Sequence, residues 1–140
     1  DINSAVVAAN NNYGYVRDYN NKLVWSKYKR STATIKGLTA SDSNFGGTSE
    51  GGMAVLKSFL GGSDDLKQIT LKGVSYETAI TYVGRGKPVL ARIDGRYVII
   101  VGYDTTQVVY LDSGREETVT ISNASKLFTQ GGNIYITYYE

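Results

Sequence analysis

The chain has 140 residues, 15 lysines and arginines against 13 aspartates and glutamates, one proline, and neither cysteine nor histidine. That length favours one domain with one hydrophobic core, and a net charge of +2 is too small for a nucleic-acid footprint. The two zeros exclude thiolate nucleophiles, disulfides, imidazole relays and ordinary zinc or haem ligation, so no catalytic residue, metal or cofactor is assigned.

Residues 1–12 hold an apolar patch, Ala5-Val6-Val7-Ala8-Ala9, followed by three asparagines, and read as a terminal segment with one helical turn. Residues 13–17 and 23–28 read as a hairpin about the turn composition Asp18-Tyr19-Asn20-Asn21-Lys22, with a third strand near residues 32–35. Residues 37–52 are loop-like. Met53, Leu56, Phe59 and Leu60 then recur at helical spacing, and Gly61-Gly62 supplies a left-handed stop. Asp64-Asp65 beside Ser63 reads as support for a helix start. Ser75 is a plausible N-cap for a second helix with the stripe Tyr76, Ala79, Ile80, Val83 and an end at Gly84.

The last third is the most strongly patterned. Residues 88–93 form a strand that tolerates Pro88 at its start, and Asp94-Gly95 is a two-residue hairpin signal requiring positive φ. The β-branched run of residues 97–101 predicts a central strand buried on both faces. Residues 108–111 and 117–121 are two further strands, Ser122 caps a short helix through Phe128, and residues 133–139 close the chain as a strand. Tyr135, Tyr138 and Tyr139 alternate imperfectly and are expected to decorate that strand on both sides. The order of elements predicts an α+β fold, helices packed on a mostly antiparallel sheet.

The stretch of residues 86–104, GKPVLARIDGRYVIIVGYD, resembles the C-terminal lobe of papain-like cysteine peptidases. It is most similar to the bacterial branch that contains the double-glycine leader peptidases of peptide exporters. There a GKPV strand leads through a tight turn to a histidine, a run of valines and Gly-Tyr-Asp, and the next strand ends in an aspartate that orients the histidine. The matching positions are Arg96 for the histidine and Asp112, in Tyr110-Leu111-Asp112-Ser113-Gly114, for the aspartate. The resemblance covers residues 74–139, and Thr48 or Ser49, before the first good helix, stands nearest the family's nucleophile position. It implies a papain-like domain over residues 46–140, with residues 1–45 as an N-terminal extended segment.

The departures carry the functional expectation. An arginine cannot accept a proton at any accessible pH, so Arg96 destroys general-base capacity. It can instead pair with Asp112 and leave a cleft that binds a peptide carboxylate or backbone carbonyls without cutting, with Tyr97 and Tyr103 near its wall. The expected function is therefore a catalytically inactive peptidase-like domain that binds a peptide or protein partner. A plain surface salt bridge is the bland account of the same pair. Two other functions stay open: a structural or assembly module of a larger protein, and a hydrolase using a serine or threonine nucleophile with an unrecognised base. Richness in Tyr, Gly, Asn, Ser and Thr suits an extracytoplasmic bacterial protein, secreted or anchored at the cell surface. No apolar run approaches the ~20 residues that span a bilayer, and no signal peptide is visible.

Other features have bland readings. Trp25 among Tyr15, Tyr19 and Tyr28 is a stacking platform or, by preference, an aromatic packing face. The glycine pairs lack the Gly-Lys-Ser/Thr of a phosphate loop. Lys27-Tyr28-Lys29-Arg30 reads as a guarded strand edge. Asn123-Ala124-Ser125 is a glycosylation sequon that reads better as part of a helix cap.

Overall fold

The computed structural model describes residues 15–17, 23–25 and 32–139. The expected terminal helical turn, the turn at residues 18–22 and the basic run at residues 27–30 lie outside them, as do the side chains of Tyr15 and Trp25. A two-stranded antiparallel ladder pairs β1 (Tyr15–Arg17) with β2 (Leu23–Trp25) in the register Val16 opposite Val24. Strand β3 (Ala33–Thr34) belongs to the main sheet, opposite Gly102 and Tyr103.

That sheet has seven strands, all paired antiparallel: β3, β4 (Lys67–Lys72), β5 (Val89–Ile93), β6 (Arg96–Tyr103), β7 (Gln107–Asp112), β8 (Arg115–Thr120) and β9 (Ile134–Tyr139). The order runs β4-β9-β5-β6-β7-β8, with β3 extending the β5 side of β6. The β5–β6 turn is the one the dipeptide demands, with φ of 35° at Asp94 and 80° at Gly95. Six of the eight β6 residues are buried, from Val98 through Tyr103, because helices cover both faces of the central strands.

Residues opposed across a ladder share a face, and successive residues alternate. Leu90, Ile99 and Leu111 are aligned on one face, and α1 (Ser49–Phe59) lies there, pressed onto Leu90 through Gly52. Ala91, Val98 and Tyr135 are aligned on the other. There α2 (Tyr76–Gly84) and α3 (Ile121–Gln130) supply Tyr76 and Phe128 to an aromatic row with Tyr135, with ring centroids 6.0 Å apart at each step. The predicted stripe of α2, Tyr76, Ala79, Ile80 and Val83, is buried in full.

Three expectations need correction. The loop expected through residue 52 ends at Thr48, whose Oγ1 accepts the Gly51 N–H at 3.1 Å as the N-cap of α1. Glycine stands at helical positions 51 and 52 because a larger residue would crowd its neighbours: an added Cβ would stand 2.6 Å from the Phe45 carbonyl oxygen and 2.4 Å from Leu90 Cδ2, respectively. No helix follows Asp64-Asp65; Ser63 Oγ accepts the Asp65 N–H at 3.1 Å in a turn that delivers the chain into β4. That strand escaped notice because only Ile69 and Leu71 are apolar in KQITLK. Thr120, not Ser122, is the N-cap of α3, and Ile121 opens that helix, its N–H donating to the Thr106 carbonyl at 2.9 Å. Tyr135 and Tyr138 lie on opposite faces of β9, as expected, and both are buried, while Tyr139 is exposed.

Candidate functional site

The hairpin ending at Gly95 starts β6 with Arg96, and β7 ends with Asp112 on the neighbouring strand. The two meet side-on: Arg96 Nε donates to Asp112 Oδ1 at 2.9 Å and Nη2 to Oδ2 at 2.7 Å. Ser113 Oγ adds a third donor to Oδ1 at 3.2 Å. The Asp112 side chain is 14% exposed and that of Arg96 40%. Alternation places both on the α2 and α3 face, together with Tyr110.

A loop brought from far away in sequence backs this pair. Ser43 Oγ accepts the Gly114 N–H and donates to the Ala40 carbonyl at 2.6 Å, which pins the short 3₁₀ helix Ala40–Ser43 to the β7–β8 turn. The Asn44 amide group lies against Gly114, where an added Cβ would be 2.9 Å from its Oδ1. The loop then runs alongside β6: Tyr97 N–H donates to the Gly47 carbonyl at 2.9 Å, and an added Cβ at Gly47 would lie 3.1 Å from Arg96 Cβ. Thr48, the next residue, opens α1. Sequence reasoning missed Ser43, Asn44 and Gly47, since a Ser-Asp-Ser-Asn run signals a turn and says nothing of the strand it docks on.

Of the four predicted binding residues, the structure brings Arg96 and Asp112 together. Tyr97 is half-buried and adjacent in sequence, and alternation turns its ring to the α1 face, away from the pair. Tyr103 is a correction. It is 2% exposed and sits at the opposite end of β6, seven residues or roughly 23 Å along an extended strand, against Ala33 and Val108. A side chain so placed cannot wall a cleft at Arg96. The structure also holds a groove of about 420 Å³ along α1, lined by Leu38, Asp42, Val55, Ser58 and Phe59 among others, which no sequence motif announces.

Electrostatics tighten the pair. Hydrogen bonds from Arg96, reinforced by its charge, hold the Asp112 carboxyl below the ordinary carboxylate range, against a smaller opposing effect of burial. Asp112 in turn raises the guanidinium pKa further. Burial and the carboxylates of Asp112 and Glu117 push the Tyr110 phenol up. Because Asp112 is depressed from an unfolded value of about 3.9, its contribution to stability is complete above that pH and is lost as pH falls through the lower folded value. With Arg96 this open to solvent, the pair contributes about 1 kcal/mol or less. Urea midpoints measured between pH 2 and 6 should therefore fall on acidification in the native chain and fall less steeply in Asp112→Asn. Equal slopes would mean that the carboxylate is unperturbed.

Among the described residues, no three acidic side chains converge to hold a metal, and no helix is long and apolar enough to cross a membrane. No protein-family model matches the chain, and no curated protein does. Among solved structures, the chain is similar to a candidate C39-like peptidase from Bacillus anthracis, at 19% identity and a TM-score of 0.50. The match takes in 64% of this chain and 57% of that one, so the chain spans little more than half of the protein it resembles. The likeness shows the fold: an α+β domain of the C39-like peptidase type, built by a chain without a cysteine.

Proposed function

We propose that this chain is a catalytically inactive peptidase-like domain that binds a peptide or protein partner at the Arg96–Asp112 end of its sheet. One observation carries the reading. At the positions where the sequence resemblance places a catalytic histidine and its orienting aspartate stand Arg96 and Asp112, locked side-on in a geometry that cannot move a proton. The base–orienter arrangement survives as a fixed ion pair, while the chain holds no cysteine or histidine to complete a relay. Arginine fixed beside backbone groups suits recognition of peptide acceptors. An extracytoplasmic bacterial setting, secreted or surface-anchored, is part of the same proposal and rests on composition.

The test has two arms. Casein and fluorogenic peptides incubated at high protein loading should show no turnover; sustained cleavage that depends on Thr48 or Ser49 would establish a hydroxyl-nucleophile hydrolase instead. Amide NMR titration with a pool of unstructured peptides should give saturable shifts at residues 95–97 and 112–114. No shift at millimolar peptide would overturn the binding reading and leave an assembly module.

A further inference from the structure

We infer that the outward edge of Arg96 is a receptor for the free C-terminal carboxylate of a bound peptide. The inference rests on the peptide-binding reading above and narrows it to one chemical group.

A guanidinium offers five N–H donors, arranged as a side fork made by Nε with one terminal nitrogen and an end fork made by the two terminal nitrogens. In this structure Asp112 occupies the side fork, through Nε and Nη2. Among the described residues no hydrogen bond is made by Nη1, so the end fork, Nη1 with the second hydrogen of Nη2, is left for another acceptor. The Arg96 side chain is 40% exposed.

The side chain is also preorganised, which a surface arginine ordinarily is not. Asp112, 14% exposed, anchors it bidentately. Ser113 Oγ bonds to Asp112, and the following Gly114 N–H is tied to Ser43. The Gly47 loop packs against its Cβ. Rotamer freedom is therefore spent before a ligand arrives, and less is lost on binding.

The end fork has the spacing and planarity of a carboxylate and matches it with two parallel charge-assisted bonds. A backbone carbonyl, with a single oxygen, uses half of it. Charge does not add to this preference, since Arg96 and Arg115 stand against Asp112, Asp94 and Glu117 around the site, so the selection rests on the matched fork. A free peptide terminus is thus favoured over an internal segment.

The probes are the acetylated tetrapeptide Gly-Ala-Leu-Ala as free acid, the same peptide as C-terminal amide, and sodium acetate, each titrated into the full chain and read by amide NMR. The free acid should bind at least tenfold tighter than the amide, with shifts centred on Arg96 and residues 112–114. Acetate should shift the same amides more weakly, because it lacks the peptide body. Arg96→Lys keeps the charge without the fork and should erase the difference between acid and amide. Native dispersion of its spectrum checks the fold, and Arg96→Gln serves as the second variant if the lysine form is unstable. Acid and amide binding within twofold of each other would overturn the carboxylate receptor while sparing peptide binding. Acetate binding as tightly as the peptide acid would overturn the peptide part of the inference and leave a small-anion site. Silence from both peptides would overturn the inference, and the pooled-peptide titration decides separately whether peptide binding falls with it.

Discussion

Gly131→Ala should cost about 3 kcal/mol or more and lower Tm on the order of 10 °C, although the replacement is a better helix former with no conformational objection to its backbone. Gly131 closes α3 at φ −83°, an angle that alanine adopts freely. The obstacle is space. An added Cβ would stand 1.8 Å from the Arg92 carbonyl oxygen and 2.5 Å from its carbon, so it would meet the backbone of β5. A strand at the centre of a seven-stranded sheet cannot step back without disturbing both of its ladders. Two controls separate this cause from others. Gly62→Ala, at φ +66° in open space, should cost only the left-handed penalty of about 1–2 kcal/mol. Gly52→Ala would meet the side chain of the fully buried Leu90 rather than a strand's backbone, and gains helix propensity of about 1 kcal/mol in partial offset. It should destabilise less than Gly131→Ala, because a side chain yields more readily than a paired strand. Thermal unfolding of the three variants, followed by circular dichroism, makes the comparison. A Gly131→Ala Tm within a few degrees of the native value would mean that α3 docks more loosely than described.

That glycine also shows where the sequence is legible and where it is not. Features set by a few neighbouring residues could be read directly: the positive-φ turn at Asp94-Gly95, the Ser75 cap with the buried stripe behind it, and the doubly buried run of β6. Glycine used for close approach could not, because Gly51, Gly52 and Gly131 look like turn residues until the element they touch is known. Strand β4 stayed hidden for a related reason. Its pairing with β9 supplies the order that two apolar residues do not signal. At the site, Arg96 and Asp112 were found through their place in a motif, and their ion pair follows from adjacent strands. The supporting contacts of Ser43 and Gly114 are 71 residues apart and carry no pattern. Tyr103 misled because nearness to Gly-Tyr-Asp in sequence says nothing of how far an eight-residue strand carries a side chain from its start.

Phe128→Ala should be the most damaging single truncation on the face covered by α2 and α3, at about 3–5 kcal/mol, against a total stability of about 5–15 kcal/mol for a domain of this kind. The ring is fully buried and is the middle of the three-ring row, tilted 33° to Tyr76 and 59° to Tyr135. It joins both helices of that face to β9, so its removal opens a cavity that neither α2 nor α3 can close alone. Tyr135→Phe is the measured contrast. It keeps the ring and removes the hydroxyl bonded to Asn133 Oδ1 at 3.1 Å, so it should cost about 1 kcal/mol. The comparison bears on function because Arg96 and Asp112 lie on this same face of one continuous sheet. If the domain unfolds as a single cooperative unit, amide signals of residues 112–114 should vanish at the same lowered urea midpoint as those of α3 in Phe128→Ala. The Arg96–Asp112 end would then be rigid because the core is rigid, and preorganisation of Arg96 would be a property of the whole sheet. Loss of α3 signals at a lower urea concentration, with residues 112–114 persisting, would show that the Ser43–Gly114 tie and the central hairpin hold the pair without the helical layer. A Phe128→Ala midpoint close to the native one would remove the aromatic row from the account of stability altogether.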